Sequence, residues 1–151
     1  MGFSFYGLII AVLIYAPGLT GLFFPPENVP PDMPKAPLFC VCMGKIGQVC
    51  SFFIICFSRY YIAEGTPDIF LVLFVVFAAV NYALWLRYYE NGSDIGLLYE
   101  KLFFIPVPIP VFFFLTLLCV SLWCENPWLT LTAVFYAVGE IPIYIQRSKY
   151  M

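Results

Sequence analysis

Five apolar stretches dominate this chain, and each is about as long as a lipid bilayer requires. They cover residues 2–24, 38–57, 69–89, 102–123 and 128–146. Charged residues make up only 11% of the 151 residues, whereas an ordinary soluble domain is about one quarter charged. So few charges cannot cover the surface of a water-soluble globule of this size, which excludes a cytosolic enzyme and a disordered chain. The sequence therefore predicts an all-α, polytopic membrane bundle with five transmembrane helices in a single domain, residues 1–151.

The residue inventory excludes several kinds of chemistry. The net charge of −2 provides no basic field for phosphates, so we expect no nucleic-acid partner. The sequence has no histidine, which removes the commonest general base and most zinc and haem sites. None of the six cysteines forms a C-x-x-C pair. We therefore expect neither a metal ion nor a cofactor.

The basic residues predict the orientation of the bundle, because the cytoplasmic loops of membrane proteins are enriched in Lys and Arg. With five spans, one side of the membrane carries Lys35, Arg87, Lys101, Arg147 and Lys149, and the other side carries Arg59. This distribution predicts a multi-pass protein of the plasma membrane, with its N-terminus outside and its C-terminus in the cytoplasm.

Three polar residues lie inside the predicted spans at similar depths. Lys45 is seven residues into the second span, which places it ~10 Å deep at ~1.5 Å per residue. Glu140 is also ~10 Å deep in the fifth span, and Asn81 is ~9 Å deep in the third. Because an unpaired charge at this depth is costly, we expect Lys45 to pair with Glu140, with Asn81 as the third member. The pair is either a structural link between two helices or the border of a ligand or ion site.

Helical spacing indicates that these polar groups face the interior of the bundle. Polar residues recur every three positions on the second span and every four positions on the fifth. The two stripes are Cys42, Lys45, Gln48 and Ser51 on the second span and Thr132, Tyr136, Glu140 and Tyr144 on the fifth. Gly44, Gly47 and Ser51 are small enough to let a neighbouring helix approach closely. The candidate ligand-binding residues are Lys45, Gln48, Asn81, Tyr136, Glu140 and Tyr144.

An alternating proline run begins the fourth span, Ile105-Pro106-Val107-Pro108-Ile109-Pro110. Prolines lack the N–H donor and hold the preceding residue in an extended conformation, so we expect residues 105–110 to be non-helical. At ~3.1 Å per residue, the run would bring free carbonyl groups to the layer of Lys45 and Glu140. The alternative is an interfacial segment followed by a shorter fourth helix, from Pro110 to Trp123.

The outline of five spans in a chain of this length, with a proline-rich first loop, is similar to that of the translocator-protein family of small ligand-binding membrane proteins. That family is rich in tryptophan, whereas this chain has only three tryptophans. No site residue is therefore carried over from the family.

Three functions are compatible with these residues. The first is a small transporter or ligand-binding membrane protein with an intramembrane polar site in its cytoplasmic half. Its partners would be membrane lipids, a small hydrophobic or amphipathic ligand, and further copies of the chain in a homo-oligomer. We favour this function because several polar elements coincide in depth.

The second function is a membrane-embedded enzyme that isomerises a lipid, isoprenoid or steroid-like substrate by proton transfer. Its catalytic residues would be Glu140 as acid and base and Tyr136 or Tyr144 as proton donor. Lys45 would tune the acidity of these groups. The third function is an accessory or structural membrane subunit, which would contact its partner within the bilayer because little of the chain lies outside it.

Overall fold

The chain folds into five helices within the residues that the structure describes, which are 2–23, 31–32, 35–57, 69–92 and 108–149 of a computed structural model. The helices are α1 (Phe5–Phe23), α2 (Leu38–Cys56), α3 (Ile69–Glu90), α4 (Pro108–Cys124) and α5 (Pro127–Ser148). No strand occurs in these ranges. The predicted all-α class and the predicted number of helices are confirmed.

Three of the helices, α2, α3 and α5, are long and apolar enough to cross a membrane. The other two contain shorter apolar segments, Phe5–Thr20 and Pro108–Cys124. Large apolar side chains cover the outside of the bundle even at mid-helix positions, where Val49 is 54% exposed and Val138 is 47% exposed. An apolar exterior of this kind is compatible with a membrane protein.

The start of α4 corrects the prediction for the proline run. Residues 108–110 are helical, and Pro108 and Pro110 are fully buried. The first N–H groups of a helix have no intrahelical acceptor, so a proline in the first turn loses no hydrogen bond, and its fixed φ suits a helix. The prediction of non-helical backbone is therefore wrong for 108–110, and 105–107 lie outside the described residues. The alternative of a shorter fourth helix is closer to the observed α4.

The helices pack as a series of neighbours. The largest interface joins α2 to α5, α5 also packs on α4, and α4 packs on α3. The core between them contains Ile55 of α2, Leu117 of α4 and Leu129 of α5, each at most 1% exposed. The first helix makes smaller contacts with α2, α3 and α4. The bundle is therefore less tightly packed around α1 than around α5.

Three glycines allow α2 and α5 to approach closely. A methyl carbon at Gly47 would lie 2.7 Å from the carbonyl oxygen of Thr132, and one at Gly139 would overlap the backbone of Gly44. Next to this crossing, Ser51 Oγ donates a buried 2.9 Å hydrogen bond to Thr132 Oγ1. The prediction that small residues on α2 permit close helix packing is confirmed.

A two-residue turn, Glu125 and Asn126, joins α4 to α5. Glu125 adopts a positive φ of 52°, and Asn126 is the N-cap of α5. The Asn126 side chain accepts hydrogen bonds from the N–H groups of Trp128 and Leu129. This cap supplies acceptors for N–H groups that the helix itself cannot satisfy.

Candidate functional site

A cavity of about 160 Å³ lies towards one end of the bundle and is lined by most of the predicted polar residues. Its polar lining consists of Lys45, Gln48, Tyr136, Glu140 and Tyr144, and the remaining lining residues are Gly18, Trp85, Ile109 and Phe113. The structure therefore brings together five of the six candidate ligand-binding residues, from α2 and α5, in the lining of one cavity.

The cavity is built from alternating ends of the five helices. Gly18 and Trp85 lie near the C-terminal ends of α1 and α3, whereas Ile109 lies at the N-terminal end of α4. Lys45 is in the N-terminal half of α2, and Glu140 is in the C-terminal half of α5. Consecutive helices therefore run in opposite directions, as in an up-and-down helix bundle.

Glu140 lies where α2 and α5 cross. Its side chain rests on the backbone of Gly44, where an added methyl carbon would lie 2.7 Å from Oε1 and 2.9 Å from Cγ. The residue is half-buried and lines the cavity. The absence of a side chain at Gly44 is therefore what makes room for the carboxylate.

Lys45 does not form the direct ion pair with Glu140 that the sequence predicts. The residue is exposed, and the described part of the chain contains no carboxylate within 4.0 Å of its ammonium group. Within the described residues, the charges of Lys45 and Arg147 both act on the Glu140 carboxylate. Lys45 and Glu140 thus share the lining of the cavity but do not form the direct pair that the sequence predicts.

The tyrosines of α5 join the cavity to the aromatic core. Tyr136 is buried, and its ring centroid is 4.7 Å from that of Phe113. Phe113 in turn contacts Tyr15, with centroids 5.2 Å apart. Tyr144 packs against the cluster of Tyr88 and Ile109. Through these contacts, the tyrosines of α5 pack against Phe113 and Ile109 of α4.

Asn81 is the candidate residue that the structure does not place at the cavity. It is 4% exposed, and its Oδ1 atom has no hydrogen-bond partner within the described residues. Phe74, Asn81 and Tyr88 are spaced by seven residues and are the buried residues of α3. Asn81 therefore lies on the buried side of α3, the helix that packs chiefly on α4.

Several lining residues were missed by reasoning from the sequence. Trp85 is four residues after Asn81, a spacing that places both on one side of α3, and this signal could have identified it. Ile109 was missed because the proline run was expected to be non-helical. Gly18 has no polar atom in a side chain and gives no signal of its own.

A second, larger cavity adjoins the first. It is a groove of about 460 Å³ between α1 and α2. Its lining consists of Tyr15, Gly18, Leu19, Lys45, Gln48, Val49, Phe52 and Phe53. Gly18, Lys45 and Gln48 line both cavities, so the polar cavity and the apolar groove meet at these three residues.

A third cavity of about 310 Å³ lies on the other side of α1, against α3. Pro17 lines it and lacks the N–H group that would bind the Leu13 carbonyl. The Tyr82 hydroxyl donates a 2.6 Å hydrogen bond to that carbonyl instead. Thr20 Oγ1 donates to the Pro17 carbonyl at 2.7 Å. The first of these bonds attaches α1 to α3 beside the proline, and the second lies within α1.

The described residues contain no group of three or more His, Cys, Asp or Glu side chains that could hold a metal ion. Comparison with known proteins gives no match to a family model, to a curated protein or to a solved structure. The function must therefore be argued from the geometry of the cavity itself.

Proposed function

We propose that this chain is a small multi-pass membrane protein that binds or transports a small amphipathic molecule at the polar cavity. The observation that carries the proposal is the position of five polar side chains, from α2 and α5, in the lining of one cavity within an otherwise apolar bundle. Polar and ionisable residues are costly to bury inside a membrane and are rare there. Where they occur, they usually mark a binding or transport site.

The same proposal includes insertion through all five helices, with the N-terminus outside and the C-terminus in the cytoplasm. The apolar exterior and the three helices of membrane-spanning length support insertion. The cavity lies towards the ends of α3 and α5 that carry Arg87 and Arg147, so the positive-inside rule assigns it to the cytoplasmic half of the membrane.

Each lining residue has a role that its chemistry suggests. Glu140 binds a cationic group or carries a proton, and Lys45 binds an anionic group of the ligand. Gln48 and the tyrosine hydroxyls supply neutral donors and acceptors that orient the ligand. Asn81 is not among the residues that line the cavity, so the proposal gives it no role.

A membrane-embedded isomerase is the second candidate, since Glu140 and Tyr136 line the same cavity and could act as base and acid. The two candidates differ in the fate of the bound molecule. A transporter or binding protein returns its ligand unchanged, whereas an isomerase returns a molecule of the same mass that elutes differently in chromatography.

Retention of small molecules by the purified protein tests the proposal. Protein in lipid nanodiscs would be incubated with a total lipid extract, washed, and analysed by chromatography and mass spectrometry. We expect an enriched amphipathic species that the Lys45→Met, Glu140→Gln double variant does not retain, although this variant remains helical and monodisperse. The double variant Glu125→Gln, Lys149→Met, at exposed positions, is the matched control and should retain it. Equal retention by the Lys45→Met, Glu140→Gln variant and the wild type would contradict the proposal.

A further inference from the structure

The groove between α1 and α2 has the lining of a site for an alkyl chain. Apart from Lys45, Gln48 and the hydroxyl of Tyr15, its walls are apolar, with Leu19, Val49 and Phe53 among them. The side chains of Leu19, Val49 and Phe53 are 52%, 54% and 56% exposed, so the groove opens to the side of the bundle rather than to its end. Its volume of about 460 Å³ is within the range of cavities that bind small molecules.

The groove and the polar cavity share three lining residues, and one of them, Gly18, leaves open space where they meet. Gly18 lines both, and a methyl carbon added there would meet nothing within 4 Å. This distinguishes Gly18 from the three glycines of the α2–α5 crossing, whose added carbons would overlap the opposite helix. The open space at Gly18 is therefore available to a ligand.

The charged residue where the groove meets the cavity indicates which head group a ligand would carry. Lys45 is the charged residue in the groove lining, and no carboxylate within the described ranges comes within 4.0 Å of it. Glu140 rests on Gly44, and Arg147 also acts on its charge, so Glu140 does not depend on Lys45 alone. An anionic group beside Lys45 would therefore complement a charge that has no direct partner among the described residues.

Building on the proposed function, we infer that the ligand is a single-chain amphiphile with an anionic head group. The chain lies in the α1–α2 groove and enters from the side of the bundle. The head group contacts Lys45 and Gln48 and projects into the polar cavity. One groove of this size between two helices favours one alkyl chain over the two chains of a phospholipid.

Trp85 provides a local reporter because it lines the polar cavity. Replacing Trp123 and Trp128 by Phe leaves it as the single tryptophan. This protein would be placed in phosphatidylcholine vesicles and titrated with stearate that carries a nitroxide quencher near its carboxylate. A hexadecylammonium with a nitroxide on its head group is the cationic counterpart. Unlabelled stearate and phosphatidylglycerol serve as competitors, and the unsaturable part of the quenching measures partition into the bilayer.

We expect saturable quenching by the labelled stearate, with displacement by unlabelled stearate. Lys45→Met and Gly18→Leu should each weaken the apparent affinity about tenfold or more, the first by removing the cation and the second by filling the junction. Lys45→Arg should retain binding. The matched controls are Lys149→Met and Val12→Phe, at exposed positions outside both cavities, and they should behave like the parent protein.

Each of the remaining outcomes would overturn a stated part of the inference. Saturable quenching by the labelled ammonium that depends on Glu140 but not on Lys45 would overturn the anionic head group and leave the proposed function intact. Unaltered stearate binding by Gly18→Leu would overturn the position in the groove, and equal competition by phosphatidylglycerol would overturn the single chain. Absence of saturable quenching by either probe would overturn the inference, whereas only the retention experiment above can overturn the proposed function.

Discussion

The close contact between α2 and α5 depends, residue by residue, on glycines that have no side chain. We predict that Gly139→Ala lowers the free energy of unfolding by about 1–3 kcal/mol. The reason is that the new methyl carbon would overlap the backbone of Gly44, which cannot move away without displacing α2. Unfolding of the purified protein in detergent, followed by circular dichroism, measures the effect.

Gly18→Ala is the matched control for this prediction. It makes the same chemical change inside a helix, but the added carbon meets nothing within 4 Å. Alanine is favoured over glycine in a helix by roughly 0.5–1 kcal/mol, so this variant should be as stable as the wild type or slightly more stable. Similar losses for both variants would show that the crossing is not the cause.

The two buried asparagines should respond in opposite directions to the same substitution. Asn81 has an unpartnered Oδ1 atom, so Asn81→Leu should stabilise the protein by about 1 kcal/mol through removal of a buried, unsatisfied acceptor. Asn126 caps α5, so Asn126→Leu should destabilise it by about 1 kcal/mol. Thermal unfolding of the two variants side by side tests this pair, and a loss of stability for Asn81→Leu would contradict the assignment.

At the scale of helices, α1 is attached to α3 at the point where Pro17 interrupts its hydrogen bonds. Tyr82→Phe removes the donor to the Leu13 carbonyl and should cost about 0.5–1.5 kcal/mol. In a Pro17→Ala background the cost should be smaller, because the alanine N–H can bind the same carbonyl within α1. A double-mutant cycle of unfolding free energies measures the difference. Equal costs in both backgrounds would show that the Tyr82 bond does not compensate for the proline.

The helices were predictable because length and apolar composition determine them locally. The predicted span 69–89 and the observed Ile69–Glu90 differ by a single residue, and the stretch 38–57 differs as little from Leu38–Cys56. The proline run was predicted wrongly because the restriction that proline imposes depends on its position. Pro108 and Pro110 would break a helix in its interior, but they fit its first turn, and the sequence does not reveal where the first turn begins.

At the scale of the whole molecule, the polar stripes of α2 and α5 predicted much of the cavity lining. Helical spacing determines which residues of one helix share a face, and glycines indicated that these two helices meet. Depth was a poorer guide, because the sequence assigns Asn81 a depth like that of Lys45 and Glu140, but Asn81 does not line the cavity. The rotation of a helix about its own axis depends on its packing partners. One sequence without a structure therefore could not assign Asn81, nor recognise the space beside Gly18.

The proposed five crossings make a prediction about the two ends of α5. This helix has 22 residues and is ~33 Å long, which matches the ~30 Å hydrocarbon core of a bilayer. In a background without the native cysteines, Glu125→Cys and Lys149→Cys should react with a membrane-impermeant maleimide from opposite sides. Lys149→Cys should react from the cytoplasmic side, because Lys and Arg accumulate there. Labelling of sealed right-side-out and inverted vesicles measures this. Reaction of both positions from one side would exclude a transmembrane α5, and exchange of the two sides would reverse the orientation and move the polar cavity to the outer half of the membrane.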